Sequence, residues 1–151
     1  MSPGVEELEA RVRAAVAPVE AIRVAYLFGS RARGDARPDS DLDVAVMFAS
    51  GAEEGERELA RRAVVAALTD ALGAVGERAD VVDLETADSA VTFRAIQGRL
   101  VLARTEAERV RIETRVGRRY DDDTPKRALF RRAARDAVAR LARSAPGMRD
   151  A

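Results

Sequence analysis

Gly29-Ser30 and Asp41-x-Asp43 are the residues of this chain whose types and spacing point to chemistry. Gly29 closes an apolar run, where a glycine lets the backbone turn and lets a ligand approach closely. Ser30 adds a hydroxyl where the free amides of a following helical turn gather, an arrangement that suits phosphate. Asp41 and Asp43 open the next apolar run. The period of two in a strand puts both carboxylates on one face, where they stay ionised together only with a cation between them. The chain has no histidine and no cysteine. Disulfides, thiolate metal sites, His-ligated zinc and His general bases are therefore excluded, and hard oxygen ligands favour Mg²⁺ or Mn²⁺. Mg²⁺ held by one or two carboxylates plus substrate phosphates is the usual arrangement for nucleotide chemistry.

A two-metal site needs a third carboxylate. Asp80 and Asp83 lie on a later apolar run, three residues apart. An odd separation turns them to opposite faces of a strand, so only one can join the pair. Arg31 and Arg33 flank the phosphate loop and are positioned either to neutralise a triphosphate or to be solvated.

The elements that must position these groups follow from periodicity and punctuation. Apolar residues at helical spacing predict a helix over 5–17, closed by Pro18. Strands are predicted over 22–28, 42–48, 80–84 and 99–103. A short helical turn and loop fill 30–40, and the link between the first two strands is either a tight crossover or an antiparallel return. Further helices are predicted over 56–72, ended by Gly73 and Gly76, and over 87–97, capped by Asp88 or Ser89. Two Arg-rich helices follow, about 105–120 and 126–143. Asp121-Asp122-Asp123-Thr124-Pro125 between them reads as a helix end and the next N-cap. The alternation of elements predicts an α/β fold, a small sheet flanked by helices with two helices at the C-terminus. Residues 1–143 form one domain and 144–151 a frayed tail.

The 151 residues carry 26 basic and 26 acidic side chains. The balance argues against a generally basic nucleic-acid-binding surface, but it conceals an asymmetry. Residues 1–93 hold 10 cations and 18 anions, and residues 94–151 hold 16 cations and 8 anions. The basic C-terminal part makes a hetero-complex plausible; its Arg-rich helices read first as solvated faces and second as a docking face for an acidic partner. The N-terminus has acids where a signal peptide needs cations and an apolar run, and no apolar stretch is long enough for a membrane span. A cytoplasmic location is expected.

Gly29-Ser30, a ten-residue gap and then Asp41-x-Asp43, preceded by Ser40, together resemble the signature of the nucleotidyltransferase superfamily that includes DNA polymerase beta. The run Gly-Ser-Arg-Ala-Arg-Gly followed by Pro-Asp-Ser-Asp-Leu-Asp is similar to its minimal branch, and within that branch to the MntA-type antitoxins paired with HEPN toxins of the HepT type. The likeness extends over roughly residues 20–143, strongest at 29–48 and fair at 78–84. It implies a mixed sheet flanked by helices and transfer of AMP from ATP to a Tyr hydroxyl of the toxin. It also implies that Gly29, Ser30 and Arg31 bind the nucleotide and that Asp41, Asp43 and Asp80 are the catalytic metal ligands, Asp80 being the third carboxylate. Two other functions compete: neutralisation of the toxin by stoichiometric binding alone, and nucleotidyl transfer to a small molecule or a nucleic-acid end.

Overall fold

Two successive strands, β1 (Ile22–Phe28) and β2 (Leu42–Phe48), are buried along nearly their whole length. Near-continuous apolar runs of this kind are what a sheet covered on both faces requires. The computed structural model describes residues 3–144, and in it these strands form the centre of a four-stranded sheet. The order is β3 (Ala79–Asp83), β2, β1, β4 (Arg99–Ala103). β1 runs antiparallel to both β2 and β4, and β2 runs parallel to β3. The chain therefore returns antiparallel from β1 to β2, through the five-residue helix α2 (Gly29–Arg33) and a loop.

Each face of the sheet has its own core. On one face α1 (Val5–Val16) and α3 (Glu54–Leu72) bring Leu8, Val12, Val16, Val64 and Leu68 against Leu27, Val44 and Val46. A single turn, α4 (Ala74–Glu77), follows α3; four residues are too few to leave a periodic signal in the sequence. On the other face α5 (Ser89–Ile96) and the first turns of α6 (Glu106–Ser144) pack Ala95, Ile112 and Val116 on Tyr26, Ala45 and Met47. Asp88 caps α5, its carboxylate accepting from the Ala90 amide at 2.9 Å. No helix among the described residues is long and apolar enough to cross a membrane.

The two C-terminal helices expected from the sequence are one helix of 39 residues, and Asp121-Asp122-Asp123 lies inside it. Pro125, expected near the first turn of a second helix, lies inside this one, where its ring removes the hydrogen bond to the carbonyl four residues earlier at a cost of about 3 kcal/mol. The residue that loses its partner is Asp121, which is exposed, so water can take the vacated acceptor. Next to it, the Tyr120 carbonyl accepts from Thr124 Oγ1 at 2.8 Å and from Arg127 at 2.7 Å. The helix thus continues past the proline. The predicted tail falls outside the described residues except for Ser144, which ends α6.

The front of α6 is held firmly. Arg23 on β1 donates twice to Glu108, both bonds at 2.7 Å, and the buried Tyr26 hydroxyl donates to Glu113 at 2.5 Å. Further along, Phe93 and Tyr120 stack with ring centroids 4.0 Å apart. Arg127 lies over the Tyr120 ring and donates to Ser89 Oγ at 2.6 Å.

Candidate active site

The C-terminal end of β1 lies beside the beginnings of β2 and β3, so Gly29, Asp43 and Asp80 meet at one edge of the sheet. Phe28 pairs with Asp43 across the antiparallel ladder, and Asp43 is in register with Asp80 across the parallel one. Register partners share a face, and here it is the face covered by α5 and α6, since Val82 and Ala45 belong to that core. Asp41, exposed, precedes the strand by one residue and raises the Asp43 pKa through its charge.

Gly29 is required twice. Its φ of +75° belongs to the left-handed region, and a β-carbon there would collide with the Asp43 carboxylate. The backbone thus passes directly over one of the candidate ligands. No side chain caps the first amides of α2. Gly34, also left-handed, ends this helix after five residues.

An open cleft of about 710 Å³ lies over this edge. Gly29, Ser30, Asp43 and Asp80 line it from the sheet side, and Arg33, Arg94 and Arg99 bring cations to it. The Asp43 pKa is pushed up, first by burial and then by the charges of Asp80 and Asp41; Arg94 and Arg33 offset part of this. A divalent metal placed beside carboxylates crowded in this way relieves both their mutual repulsion and the cost of their burial. Among the described residues no three acidic side chains converge tightly enough to hold an ion by themselves. The donor set is hard oxygen throughout, and it suits a cation whose coordination is completed by substrate phosphates and water.

Arg31, expected to bind nucleotide, lies away from the cleft. It is only 7% exposed and does not line the cleft. Its guanidinium donates to the Ser40 carbonyl at 2.9 and 3.1 Å and to the carbonyls of Pro38 and Arg37 at 3.3 and 3.4 Å. A rigid fork of donors gathers three carbonyls of the loop that leads into Asp41. Ser40 Oγ accepts from the Arg37 amide at 2.8 Å, and Arg78 donates to the Asp39 carbonyl at 2.5 Å. The Arg31 guanidinium thus braces the loop that leads into Asp41, and Arg33 is the arginine of this pair that reaches the cleft.

Asp83 faces the opposite side from Asp80, as the odd spacing requires. It pairs with Arg57 at 3.1 Å and Arg61 at 3.8 Å and accepts from the Glu85 amide at 2.9 Å, fastening β3 to α3. Arg94, Gln97 and Arg99 escaped the sequence reading as cleft residues. The only signal available was that they sit on the helix and strand flanking Gly98, a residue whose missing β-carbon lets the chain pass against the Leu27 carbonyl.

Comparison with known proteins gives the family and the fold. The family model described as Polymerase beta, Nucleotidyltransferase matches residues 12–107. No curated protein sequence matches. Among solved structures, a chain of a toxin–antitoxin complex crystallised with AMP-PNP superposes with a TM-score of 0.61 at 19% identity, covering 81% of this chain and 98% of that one. A chain from the structure of a tri-AMPylated Shewanella oneidensis HEPN toxin in complex with MNT antitoxin gives 0.58 at 16% identity, covering 83% and 98%. A third, from an MntA–HepT toxin–antitoxin structure, gives 0.57 at 17% identity, covering 85% and 98%. At these identities the structural likeness establishes a shared fold. The family model spans more than half of the chain, with the Gly-Ser loop, Asp41, Asp43 and Asp80 inside it, and the chain belongs to the polymerase beta nucleotidyltransferase family.

Proposed function

We propose that this chain transfers AMP from ATP to a hydroxyl, that of a tyrosine, on a HEPN toxin of the HepT type, and silences it in the cytoplasm as its antitoxin. The observation that carries the reading is the in-register pair Asp43–Asp80 beside Gly29-Ser30 at the mouth of the cleft. Chains of the same fold occur in toxin–antitoxin crystal structures, one with AMP-PNP and one with a tri-AMPylated toxin.

Ser30 and the uncapped amides of α2 cradle the phosphates, with Gly29 keeping the approach open. Asp41, Asp43 and Asp80 would hold the divalent cation, Mg²⁺ or Mn²⁺. When bound, it neutralises phosphate charge and favours departure of pyrophosphate. Asp80 takes the proton from the incoming hydroxyl. The hydroxyl oxygen then bonds to the α-phosphorus as the bond between that phosphorus and the bridging oxygen breaks. Arg33 and Arg94 offset the charge gathered at the cleft. The work of the protein is positioning and neutralisation.

The test is intact-mass analysis of the product of the adjacent reading frame, incubated with this protein, ATP and Mg²⁺. The expected result is a gain of one or more AMP units, absent with Asp41→Asn/Asp43→Asn. A stable complex with no mass gain replaces catalysis by stoichiometric binding. Absence of both a mass gain and a complex would direct the activity to a small-molecule acceptor.

A further inference from the structure

Beyond Arg127, α6 leaves the body of the protein. Among the described residues, no side chain from 128 to 144 forms a hydrogen bond or ion pair with another element. Seventeen residues at 1.5 Å each project the helix by about 25 Å. The projection is not uniformly polar. Phe130 is 76% exposed, Leu141 70% and Val138 66%. Phe130, Ala134, Ala137 and Leu141 follow at spacings of four, three and four, which places them on one seam with Val138 at its margin. The same stripe, followed back along the helix, passes through Val116 and Ile112, both buried against the sheet. A face that packs at one end of the helix thus continues past the domain edge, where Phe130, Val138 and Leu141 are mostly exposed among the described residues.

We propose that this projecting seam docks a helix of a partner protein that carries apolar residues at matching spacing, bordered by Glu and Asp. The proposal deepens the reading above, on which it rests, by giving the acceptor protein a place to bind. Charge selects the occupant. Residues 126–144 contain seven Lys or Arg and one Asp. A second copy of this helix would set like charges against each other, whereas an acid-bordered helix is complementary. Phe130, Val138 and Leu141 favour a protein over a nucleic acid, because phosphates do not cover hydrocarbon. Ala134 and Ala137, between the larger residues, allow the partner backbone to come close.

The test uses the full chain without nucleotide, so its failure is separate from failure of AMP transfer. Two labelled three-heptad helical peptides are titrated by fluorescence anisotropy; both carry Leu along the seam, and the borders are Glu in one and Lys in the other. The Glu-bordered peptide should bind, and the Lys-bordered peptide should bind at least ten-fold more weakly. Phe130→Glu/Leu141→Glu should weaken the Glu peptide at least ten-fold with unchanged circular dichroism, as both positions are exposed. Arg131→Glu/Arg140→Glu should reverse the preference between peptides. No binding of the Glu peptide, or equal binding by the Phe130→Glu/Leu141→Glu variant, overturns the proposal. So does a dimer of the free chain in sedimentation velocity that the same variant abolishes, which would make a second copy the occupant.

Discussion

Arg31 and Phe130 both stand on the unusual side of the partition between core and solvent. The guanidinium is 7% exposed and the phenyl ring 76% exposed. Behind the cleft, charge is buried and satisfied: Arg31 grips three loop carbonyls, and no buried side-chain polar atom among the described residues lacks a partner. On the far part of α6, the hydrocarbon of Phe130, Val138 and Leu141 is exposed among the described residues. A buried charge held by three backbone carbonyls fixes geometry, whereas an exposed apolar seam leaves a contact to be completed. The first belongs to a site built before its substrate arrives, the second to a surface finished by another molecule. Functional regions are where local rules are expected to break, and here they break in opposite directions.

The largest effect that sharpens this contrast is at Asp43. Asp43→Asn should lower AMP transfer by about 10³-fold, since a removed charge at the phosphoryl site cannot be replaced by neighbours. Because burial and the two neighbouring aspartates raise its pKa, the ionised carboxylate is disfavoured in the fold. Its cost appears as pH rises above the ordinary carboxylate range. The metal-free variant should therefore melt about 1–3 °C higher than wild type at pH 7, and no higher at pH 3, by calorimetry. An inactive variant with lowered stability would mean that Asp43 supports the fold and not the chemistry.

Arg31→Lys should cost about 2–3 kcal/mol, measured by urea unfolding, because an ammonium cannot reach three carbonyls that the guanidinium fork satisfies. Transfer should fall about 10–100-fold in kcat with KM for ATP little changed, as expected for a residue that positions Asp41 and Asp43 without touching nucleotide. A rise in KM alone would return Arg31 to direct nucleotide binding.

The smallest effect lies at the root of α6. The paired donors of Arg23 hold the Glu108 carboxylate down to about 2. A depressed carboxylate stabilises the fold above its unfolded value near 4.5 and loses that contribution as pH falls through about 2. Glu108→Gln should leave a smaller loss of Tm between pH 5 and pH 2 than wild type shows. Equal acid sensitivity in both proteins would mean that the hold on α6 comes from Tyr26, Ile112 and Val116 instead.

Much of this was legible in the residues. Strands over 22–28, 42–48 and 99–103 are observed with those boundaries, because continuous apolar runs between Gly, Pro and Asp leave little ambiguity. The third strand begins and ends one residue earlier than expected. The opposite facing of Asp80 and Asp83 followed from parity alone. The direction of the β1–β2 return did not, since a dozen residues permit either connection. The Pro125 error came from reading a local rule where neighbouring residues and solvent compensate. Burial of Arg31 was illegible because nothing in Gly-Ser-Arg-Ala-Arg-Gly distinguishes the first arginine from the second. Their separation into anchor and cleft residue depends on where the following loop folds back.

The antiparallel return between β1 and β2 has a consequence for how the protein comes into being. Gly29, Ser30, Arg31, Asp41 and Asp43 all lie within one hairpin of 27 residues, from Ile22 to Phe48. Asp80 reaches its place only through a parallel crossover carrying the whole of α3. Contacts close in sequence form before distant ones, because less chain entropy is lost in closing them. Pulse-labelled hydrogen exchange during refolding should protect β1–β2 amides ahead of those between β2 and β3; simultaneous protection would refute this order. A nascent chain would then carry the phosphate loop and two carboxylates while the third was still missing, and the enzyme would switch on only when its outermost strand docked.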